Sequence, residues 1–358
     1  MNKPKNLPRR TVGLRRIAED LGISISLVSK VLSGKLGTSG AQESTIRAIR
    51  EKALELDYRK NRLAEALRTG RQNVIAVCVH RHGEVGSDIV EEMVSGIAAE
   101  AAEFHQRLMI LYYNTPEEFR EFVPEVHRNA VDGVILGGLP HAELLDELMD
   151  WHSHGLPVIT IHDGQLNPAL PNVGIDQVEV GRLATRHLID QGCRHIAHFR
   201  LGPNAESRLA FKGDHMSPDQ RYEGYRQALR ESGLSRPASL LVDVSGYNYA
   251  AGREGVQALF DRKARFDGIV AISDQHAAAA LNHLVANRRQ VPQEVKLIGV
   301  DNSPFCQFAI VPLSSVSQEF TSRGRQAVRL LMAEAQGEKV SSVCVEPVVY
   351  ARESSAAS

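Results

Sequence analysis

The stretch RRIAEDLGISISLVSKVLS, residues 15–33, decides how this 358-residue chain folds at its start. Apolar side chains recur at helical spacing in residues 17–21 and again in residues 28–32. Gly22 can adopt the positive φ of a sharp turn between two helices, and Ser24 is a good N-cap for the second helix. The stretch therefore predicts a helix-turn-helix, whose second helix would lie in the major groove of DNA.

Charge is distributed unevenly along the chain. Residues 1–71 carry 16 Lys and Arg against 7 Asp and Glu, a net charge of +9, whereas residues 72–358 carry 26 against 36, a net charge of −10. The overall charge of −1 therefore conceals a basic head on an acidic body. Such a head attracts phosphate regardless of base sequence, as a protein that binds duplex DNA requires.

The sequence has no pattern of a secreted, membrane-spanning or metal-binding protein. Its longest apolar runs, such as residues 269–272, are too short to cross a bilayer, and the basic head lacks the apolar run of a signal peptide. The four cysteines have no C-x-x-C spacing, which argues against a disulfide framework and a zinc site. We therefore expect a cytoplasmic protein without membrane contact, metal or cofactor.

The pattern changes twice after the helix-turn-helix. Residues 46–56 have the spacing of a third helix that can close a small core, and residues 61–70 form a short helical pattern that would be marginal alone in water. Beyond Arg71, short apolar strands alternate with amphipathic helices, as in parallel sheets covered on both faces. These strand-helix units are too numerous for a single sheet, so the sequence predicts two similar lobes.

The order and spacing of several short motifs in this chain resemble those of the LacI/GalR family of bacterial transcriptional regulators. After the helix-turn-helix come Val-Gly-Ile-Asp at 173–176, Ser-Asp-Gln at 273–275, Gly-Val-Asp at 299–301 and Pro-Leu-Ser-Ser-Val at 312–316. The resemblance covers nearly the whole chain. It implies an α/β protein in which a small all-α helix-turn-helix head precedes a two-lobed, periplasmic-binding-protein-like core with parallel sheets.

The resemblance also implies where the domains begin and end. It assigns residues 1–60 to a helix-turn-helix DNA-binding head, residues 61–71 to a hinge helix, and residues 72–358 to a core for ligand binding and dimerisation. The expected lobe limits are about 72–172 and 304–346 for the first lobe, and about 173–303 and 347–358 for the second.

The chain departs from the family pattern at two places that bear on local structure. Gln42 stands where a serine usually caps the third helix, although Ser39 or Ser44 could substitute for it. His162 and Asp163 replace a more usual Asp-Arg pair at the end of a strand.

For DNA binding, the resemblance assigns base reading to positions on the second helix. Lys30 could donate to guanine O6 and N7, whereas Ile25 could offer only apolar contact, for instance to a thymine methyl group. The base-reading set is Ile25, Ser26 and Lys30. Residues expected to contact phosphate or to stabilise helix ends are Arg15, Ser24, Ser29 and Ser33.

The hinge segment resembles a minor-groove element. Leu67 corresponds to a leucine that is inserted, together with its two-fold mate, between base steps and kinks the duplex. Asn61 and Ala64 would line the same groove. The alternative for Leu67 is a leucine packed in the protein core.

For ligand binding, the resemblance indicates the cleft between the two lobes, where small polar ligands bind at the carboxyl ends of strands. Asp301 could accept two sugar hydroxyls, and Tyr247 could stack on a sugar or base face. Arg221 could bind the ligand or pair with a carboxylate in the hinge. The complete set that the resemblance implies is His80, His162, Arg221, Tyr247, Ser273, Asp301 and Gln318.

The expected function is a dimeric, ligand-responsive transcriptional regulator, most simply a repressor, rather than an enzyme. Its expected partners are a pseudo-palindromic DNA operator and a carbohydrate effector. The alternatives are a sugar-binding transport protein and an enzyme on the same core fold. A transport protein would need a signal peptide and no basic head, and residues 273–276 contain three triad residue types but no G-x-S-x-G elbow.

Overall fold

The computed structural model describes most of the head and most of the core. The described residues are 13–33, 40–58, 71–80, 88–122, 126, 131–138, 142–164, 166–203 and 217–356. They belong to two compact units, residues 1–71 and residues 72–358. The predicted hinge residues Asn61, Ala64 and Leu67 lie outside the described residues.

The described head consists of helices α1 (Leu14–Leu21), α2 (Ile25–Leu32) and α3 (Glu43–Glu55). Gly22 ends α1 in a left-handed conformation with φ of 64°, and the Ser24 hydroxyl accepts a hydrogen bond from the Leu27 amide at the start of α2. The predicted helix-turn-helix is therefore confirmed. Each of the three helices contributes two buried side chains to one core, which contains Ile17, Ala18, Val28, Val31, Ile49 and Ala53.

The second unit alternates strands with helices. Its strands are β1 (Val74–His80), β2 (Arg107–Tyr113), β3 (Gly133–Gly137), β4 (Val158–Ile161), β5 (Val173–Ile175), β6 (Ile196–Leu201), β7 (Leu241–Val244), β8 (Gly268–Val270), β9 (Lys296–Asp301), β10 (Ser314–Ser317), β11 (Val343–Val345) and β12 (Val348–Tyr350). Its α-helices are α4 (Asp88–Glu103), α5 (Pro116–Glu121), α6 (Leu145–Ser153), α7 (Gln177–Asp190), α8 (Ser217–Glu231), α9 (Tyr249–Asp261), α10 (Asp274–Ala286) and α11 (Phe320–Glu334). Among the described helices, none has the length and apolar character needed to span a membrane.

The first lobe is built on a parallel sheet with the strand order β2-β1-β3-β4. Helices α4 and α11 pack on one face through side chains such as Met93, Ile97 and Leu331. Helices α5 and α6 cover the other face, where the rings of Phe119 and Trp151 stack with centroids 5.5 Å apart. Parallel strands this buried require helices on both faces, as the apolar runs predict.

The second lobe is built on a six-stranded sheet with the order β12-β10-β9-β8-β6-β7, in which only the edge strand β12 is antiparallel. Helices α7 and α8 cover one face, and α9 and α10 cover the other. A Cβ atom on Gly181 of α7 would lie 2.0 Å from the carbonyl oxygen of Arg221 on α8. This glycine therefore allows the close approach that brings Arg221 against α7.

The described core crosses between the lobes at three places. The first crossing runs through β5 and the third through β11, and these two strands pair in parallel. The second crossing lies at Gln318 and Glu319, between β10 and α11. The predicted return to the first lobe at residue 304 is wrong, because β10 pairs with β9 and completes the second-lobe sheet before the chain crosses.

The start of α3 offers a test of local stability. Gln42 is the N-cap of α3, but its side chain makes no hydrogen bond to the first turn. A serine hydroxyl there would satisfy one of the free amides, so Gln42→Ser should stabilise the head by about 0.5–1 kcal/mol. Slower amide hydrogen exchange in α3 of the intact chain would measure this gain. Arg50→Ala, at an exposed position of the same helix, is the control; unchanged exchange in Gln42→Ser would mean that the added hydroxyl does not cap α3.

Candidate functional site

Helix α2 presents the predicted base-reading residues to solvent. Ile25 is 46% exposed although it is apolar, and Ser26 and Lys30 are also exposed. Val28 and Val31 are buried on the other side of the helix. An exposed face that carries an apolar side chain, a hydroxyl and a long cation can contact thymine methyl groups and the acceptor atoms of guanine.

The predicted phosphate and helix-end residues differ in what they contact. Ser24 caps α2, and the Ser33 hydroxyl donates to the Ser29 carbonyl at 2.6 Å, so both stabilise helix ends. Arg15 forms a 3.1 Å ion pair with Glu19, and its side chain is 82% exposed. Because exposed pairs of this kind are weak, a phosphate can compete for the Arg15 guanidinium.

In the core, four buried polar side chains form a continuous row of hydrogen bonds, which we call the polar relay. Arg221 Nε donates to Gln177 Oε1 at 2.7 Å, and Gln177 Nε2 donates to Gln318 Oε1. Gln318 Nε2 in turn donates to Asp301 Oδ1. The relay connects three predicted ligand residues through Gln177, which the sequence analysis missed.

The turn after β9 fixes the direction of the Asp301 carboxylate. Asp301 has φ of 114° and Asn302 has φ of 61°, both in the region that favours glycine. Asp274 holds this strained turn, because its Oδ2 accepts from the Ser303 amide at 2.7 Å and its Oδ1 accepts from the Ser315 hydroxyl at 2.6 Å. The carboxylate at the end of the relay is thus supported by a second carboxyl group.

The pKa of Asp274 responds to its burial and to the nearby charge of Asp301. Burial raises the pKa of Asp274 to about 8, and the negative charge of Asp301 adds to this effect. Hydrogen bonds from Ser315 and Ser303 act in the opposite direction but are outweighed. Burial therefore favours the neutral form of the Asp274 carboxyl more than water would.

His276 and Tyr247 form a second part of the site. His276 Nε2 donates to the Gly246 carbonyl at 2.8 Å, so Nδ1 accepts from the Ser273 hydroxyl at 2.7 Å. Burial lowers the pKa of His276 to about 4, which keeps the ring neutral. The Tyr247 ring packs edge-on against it at 5.9 Å. Burial raises the pKa of Tyr247 to about 12, so its hydroxyl remains a hydrogen-bond donor.

The Ser-Asp-Gln-His sequence at 273–276 is not arranged as a catalytic triad. In a triad the carboxylate accepts from the histidine nitrogen that does not face the serine. Here that nitrogen of His276 donates to a backbone carbonyl, and Asp274 accepts from the turn after β9. The geometry thus gives no support to a serine hydrolase.

The first lobe brings two histidines to the carboxyl ends of its strands. His80 ends β1 and packs edge-on against Tyr113 with ring centroids 5.4 Å apart. His162 follows β4, and its Nδ1 lies 2.7 Å from the Gly164 carbonyl oxygen and 3.1 Å from the Gly164 amide nitrogen. Carboxyl ends of parallel strands are the usual position of ligand sites in α/β sheets.

A buried ion pair stands next to His162. Asp163 lies 3.4 Å from Arg323, whose side chain is 1% exposed and also donates to the Val173 carbonyl. Burial lowers the pKa of Arg323, and the Asp163 carboxylate opposes that shift. The departure from the family pattern at His162 and Asp163 was visible in the sequence. The pairing of Asp163 with Arg323, 160 residues away, could not be predicted from any local pattern.

The seven predicted ligand residues fall into three groups. Direct hydrogen bonds of the relay connect one group, His276 connects a second, and the third lies on the first lobe. The relay group is Arg221, Gln318 and Asp301. The His276 group is Ser273 and Tyr247, and the first-lobe group is His80 and His162. Their role in binding stays a prediction.

The chain is similar to known regulators over nearly its whole length. A family model described as "Periplasmic binding protein-like domain" matches residues 185–355. The chain is 30% identical to the HTH-type transcriptional regulator CelR of Thermobifida fusca over 342 residues, which cover 94% of this chain and 95% of that protein. It is 26% identical to the ribose operon repressor of Halalkalibacterium halodurans, with 90% of each chain covered.

The fold of the chain is also similar to solved structures of transcriptional regulators. A structure titled "transcriptional regulator CelR-cellobiose complex" has a TM-score of 0.67 and 27% identity, and covers 96% of this chain and 99% of that one. The lac repressor dimer bound to operator and an anti-inducer has a TM-score of 0.76 over 97% of this chain and 100% of that one. Its 19% identity makes it evidence for the fold alone.

The buried Asp274 carboxyl predicts a pH effect on stability. Because its pKa is raised in the folded protein, the stability it contributes is present at low pH and is lost as pH rises through about 8. The free energy of unfolding of the wild type, relative to Asp274→Asn, should therefore fall between about pH 5 and pH 8.5. Urea unfolding at several pH values measures this difference. Asp261→Asn, at the exposed end of α9, controls for loss of one carboxylate; a difference that rises with pH would refute the assignment.

Proposed function

The chain belongs to the LacI/GalR family of bacterial transcriptional regulators, and from this we propose that it acts as a cytoplasmic homodimer that represses transcription under the control of a carbohydrate. Its DNA target would be a pseudo-palindromic operator, since two-fold symmetric proteins read two symmetric half-sites. The observation that carries the effector part of the proposal is the polar relay, which holds Arg221 and Asp301 at the carboxyl ends of the second-lobe strands.

On the DNA side, the proposal assigns base reading to Ile25, Ser26 and Lys30. The excess positive charge of residues 1–71 would supply the attraction to phosphate. Arg15 would join it by exchanging its weak pair with Glu19 for a phosphate contact. Minor-groove contacts by Asn61, Ala64 and Leu67 remain part of the proposal.

On the ligand side, we infer an uncharged carbohydrate. Carboxylates such as Asp301 accept hydrogen bonds from sugar hydroxyls, and the half-buried Tyr247 offers a ring for stacking. In the described site, Arg221 is engaged by Gln177 and by the Ile272 carbonyl. The opposite charges of Arg221 and Asp301 balance within the relay, which therefore has no excess positive charge to attract a phosphate or acid group on the ligand. The cellobiose complex of a similar regulator makes cellobiose the first compound to test.

The most informative test of the proposal is selection of DNA by the intact protein. Genomic fragments that the protein retains are sequenced, and the enriched motif is then titrated as a short duplex. Two inverted half-sites within the motif are expected. Retention without any common motif would contradict sequence-specific regulation.

Lys30 gives a residue-level prediction for DNA reading. As the long cation of the exposed α2 face, it should donate to one guanine, so Lys30→Ala should cost about 1–3 kcal/mol per half-site and relax preference at one symmetric base position. Anisotropy titrations of duplexes that vary each base would measure both effects. Lys52→Ala is the control, because Lys52 lies on α3 and pairs with Glu55 at 2.8 Å. Equal loss on every sequence would limit Lys30 to a phosphate contact.

Asp301 gives the matching prediction for the effector. Asp301→Ala should weaken cellobiose binding by roughly 1.5–3 kcal/mol, the range for hydrogen bonds to a charged group, and leave DNA affinity without sugar nearly unchanged. Calorimetry with cellobiose, and with glucose 6-phosphate as the charged comparison, would measure it. Asp261→Ala serves as the control. Preferential binding of the phosphorylated sugar by the wild type would overturn the uncharged effector.

A further inference from the structure

Gln177 is a buried amide that none of the predicted functions uses. It is the first residue of α7, two positions beyond the crossing strand β5, and its side chain is 1% exposed. Its oxygen accepts from Arg221 and its nitrogen donates to Gln318. A buried residue whose amide is satisfied at both ends by other side chains has a defined orientation and a high cost of removal.

The direction of the relay is set by its ends. An arginine guanidinium can only donate hydrogen bonds, and an ionised aspartate can only accept them. Between Arg221 and Asp301, each of the two glutamines must therefore accept through its oxygen and donate through its nitrogen. Turning either amide over would set donor against donor at one end and acceptor against acceptor at the other.

The relay also joins two of the three lobe crossings. Gln177 follows the first crossing directly, and Gln318 lies within the second. The next residue, Glu319, has φ of 53°, and its amide donates to the Ser317 hydroxyl at 3.0 Å. Hinges between domains are commonly a few residues at element ends that absorb backbone rotation, and this segment has that character.

We propose that Gln177 is a positioning residue that ties Arg221 and Asp301 to the lobe crossings, so that the relay restricts the angle between the lobes. This inference rests on the proposed function in one respect: the relay ends are the residues proposed to meet the effector. A ligand that moves Arg221 or Asp301 would then alter the hydrogen bonds of the relay that connect the two crossings. The same tie restricts the lobes before any ligand binds.

The test measures lobe separation in the full chain without ligand. Spin labels are attached to cysteines introduced at Ser153 in the first lobe and Arg253 in the second, both exposed, in a background with the exposed Cys344 replaced by serine. Dilution with unlabelled protein restricts the measurement to distances within one chain. Double electron–electron resonance then gives the distribution of distances between the lobes.

Two variants separate the parts of the relay. Gln177→Leu removes both hydrogen bonds. Gln177→Glu keeps an acceptor for Arg221 but, when ionised, cannot donate to Gln318. Thr185→Val on the same helix is the matched control: Thr185 is fully buried, but its hydroxyl donates only to the Gly181 carbonyl of its own helix.

Both Gln177 variants should shift or broaden the distribution of distances between the lobes. Thr185→Val should lower the melting temperature but leave that distribution unchanged. Broadening in all three variants would indicate general loosening and overturn the proposal. An unchanged distribution in folded Gln177→Leu would also overturn it. If Gln177→Leu fails to fold, Gln177→Glu decides the question, because it retains the Arg221 hydrogen bond.

Cellobiose provides a second and independent measurement. Loss of the hydrogen bond that orients the Arg221 guanidinium should lower cellobiose affinity about 10-fold or more in Gln177→Leu. Failure of the wild type to bind cellobiose would count against the proposed effector and leave the result on lobe separation intact. Cellobiose binding by the wild type with no loss in Gln177→Leu would contradict the positioning of Arg221 by Gln177.

Discussion

Arg221 and Asp301 carry opposite charges in an interior where an unpaired charge would be prohibitive. Two glutamine amides connect them in a row of hydrogen bonds, in which Gln177 accepts from Arg221 and Gln318 donates to Asp301. The remaining features of the site maintain this arrangement. Gly181 allows α8 to approach α7, and Asp274 supports the strained turn that carries Asp301. The charges thus stay buried yet available at the carboxyl ends of the strands.

Burial also shifts the pKa values of two groups in this site. Burial and the negative charge of Asp301 raise the pKa of Asp274, which disfavours a second ionised carboxylate near Asp301. His276 is kept neutral by the same cause. The second-lobe side of the site therefore combines the opposite charges of Asp301 and Arg221 with the neutral His276 ring and with hydroxyls and amides that donate and accept hydrogen bonds. This chemistry matches hydroxyl-rich, uncharged ligands better than acids.

Local features of the fold were predictable from the sequence, whereas long-range pairings were not. Gly22 and Ser24 act within a few residues of themselves, so their turn and cap could be read directly. The hydrogen bond between Gln177 and Gln318 joins residues 141 positions apart, and no local pattern encodes it. The error at residue 304 has the same origin, because only the pairing of β10 with β9 assigns that strand to the second lobe. The resemblance to a family supplied the seven predicted ligand residues but not the Gln177 amide that connects three of them.

If the core site regulates transcription, its occupancy must change the affinity of the chain for DNA. The most direct measurement is the affinity of the intact chain for its selected operator duplex, without sugar and with cellobiose at a concentration that calorimetry shows to be saturating. We expect a change of about 5- to 150-fold, the usual range of coupling between two sites. An operator affinity that stays the same when the site is saturated would contradict it.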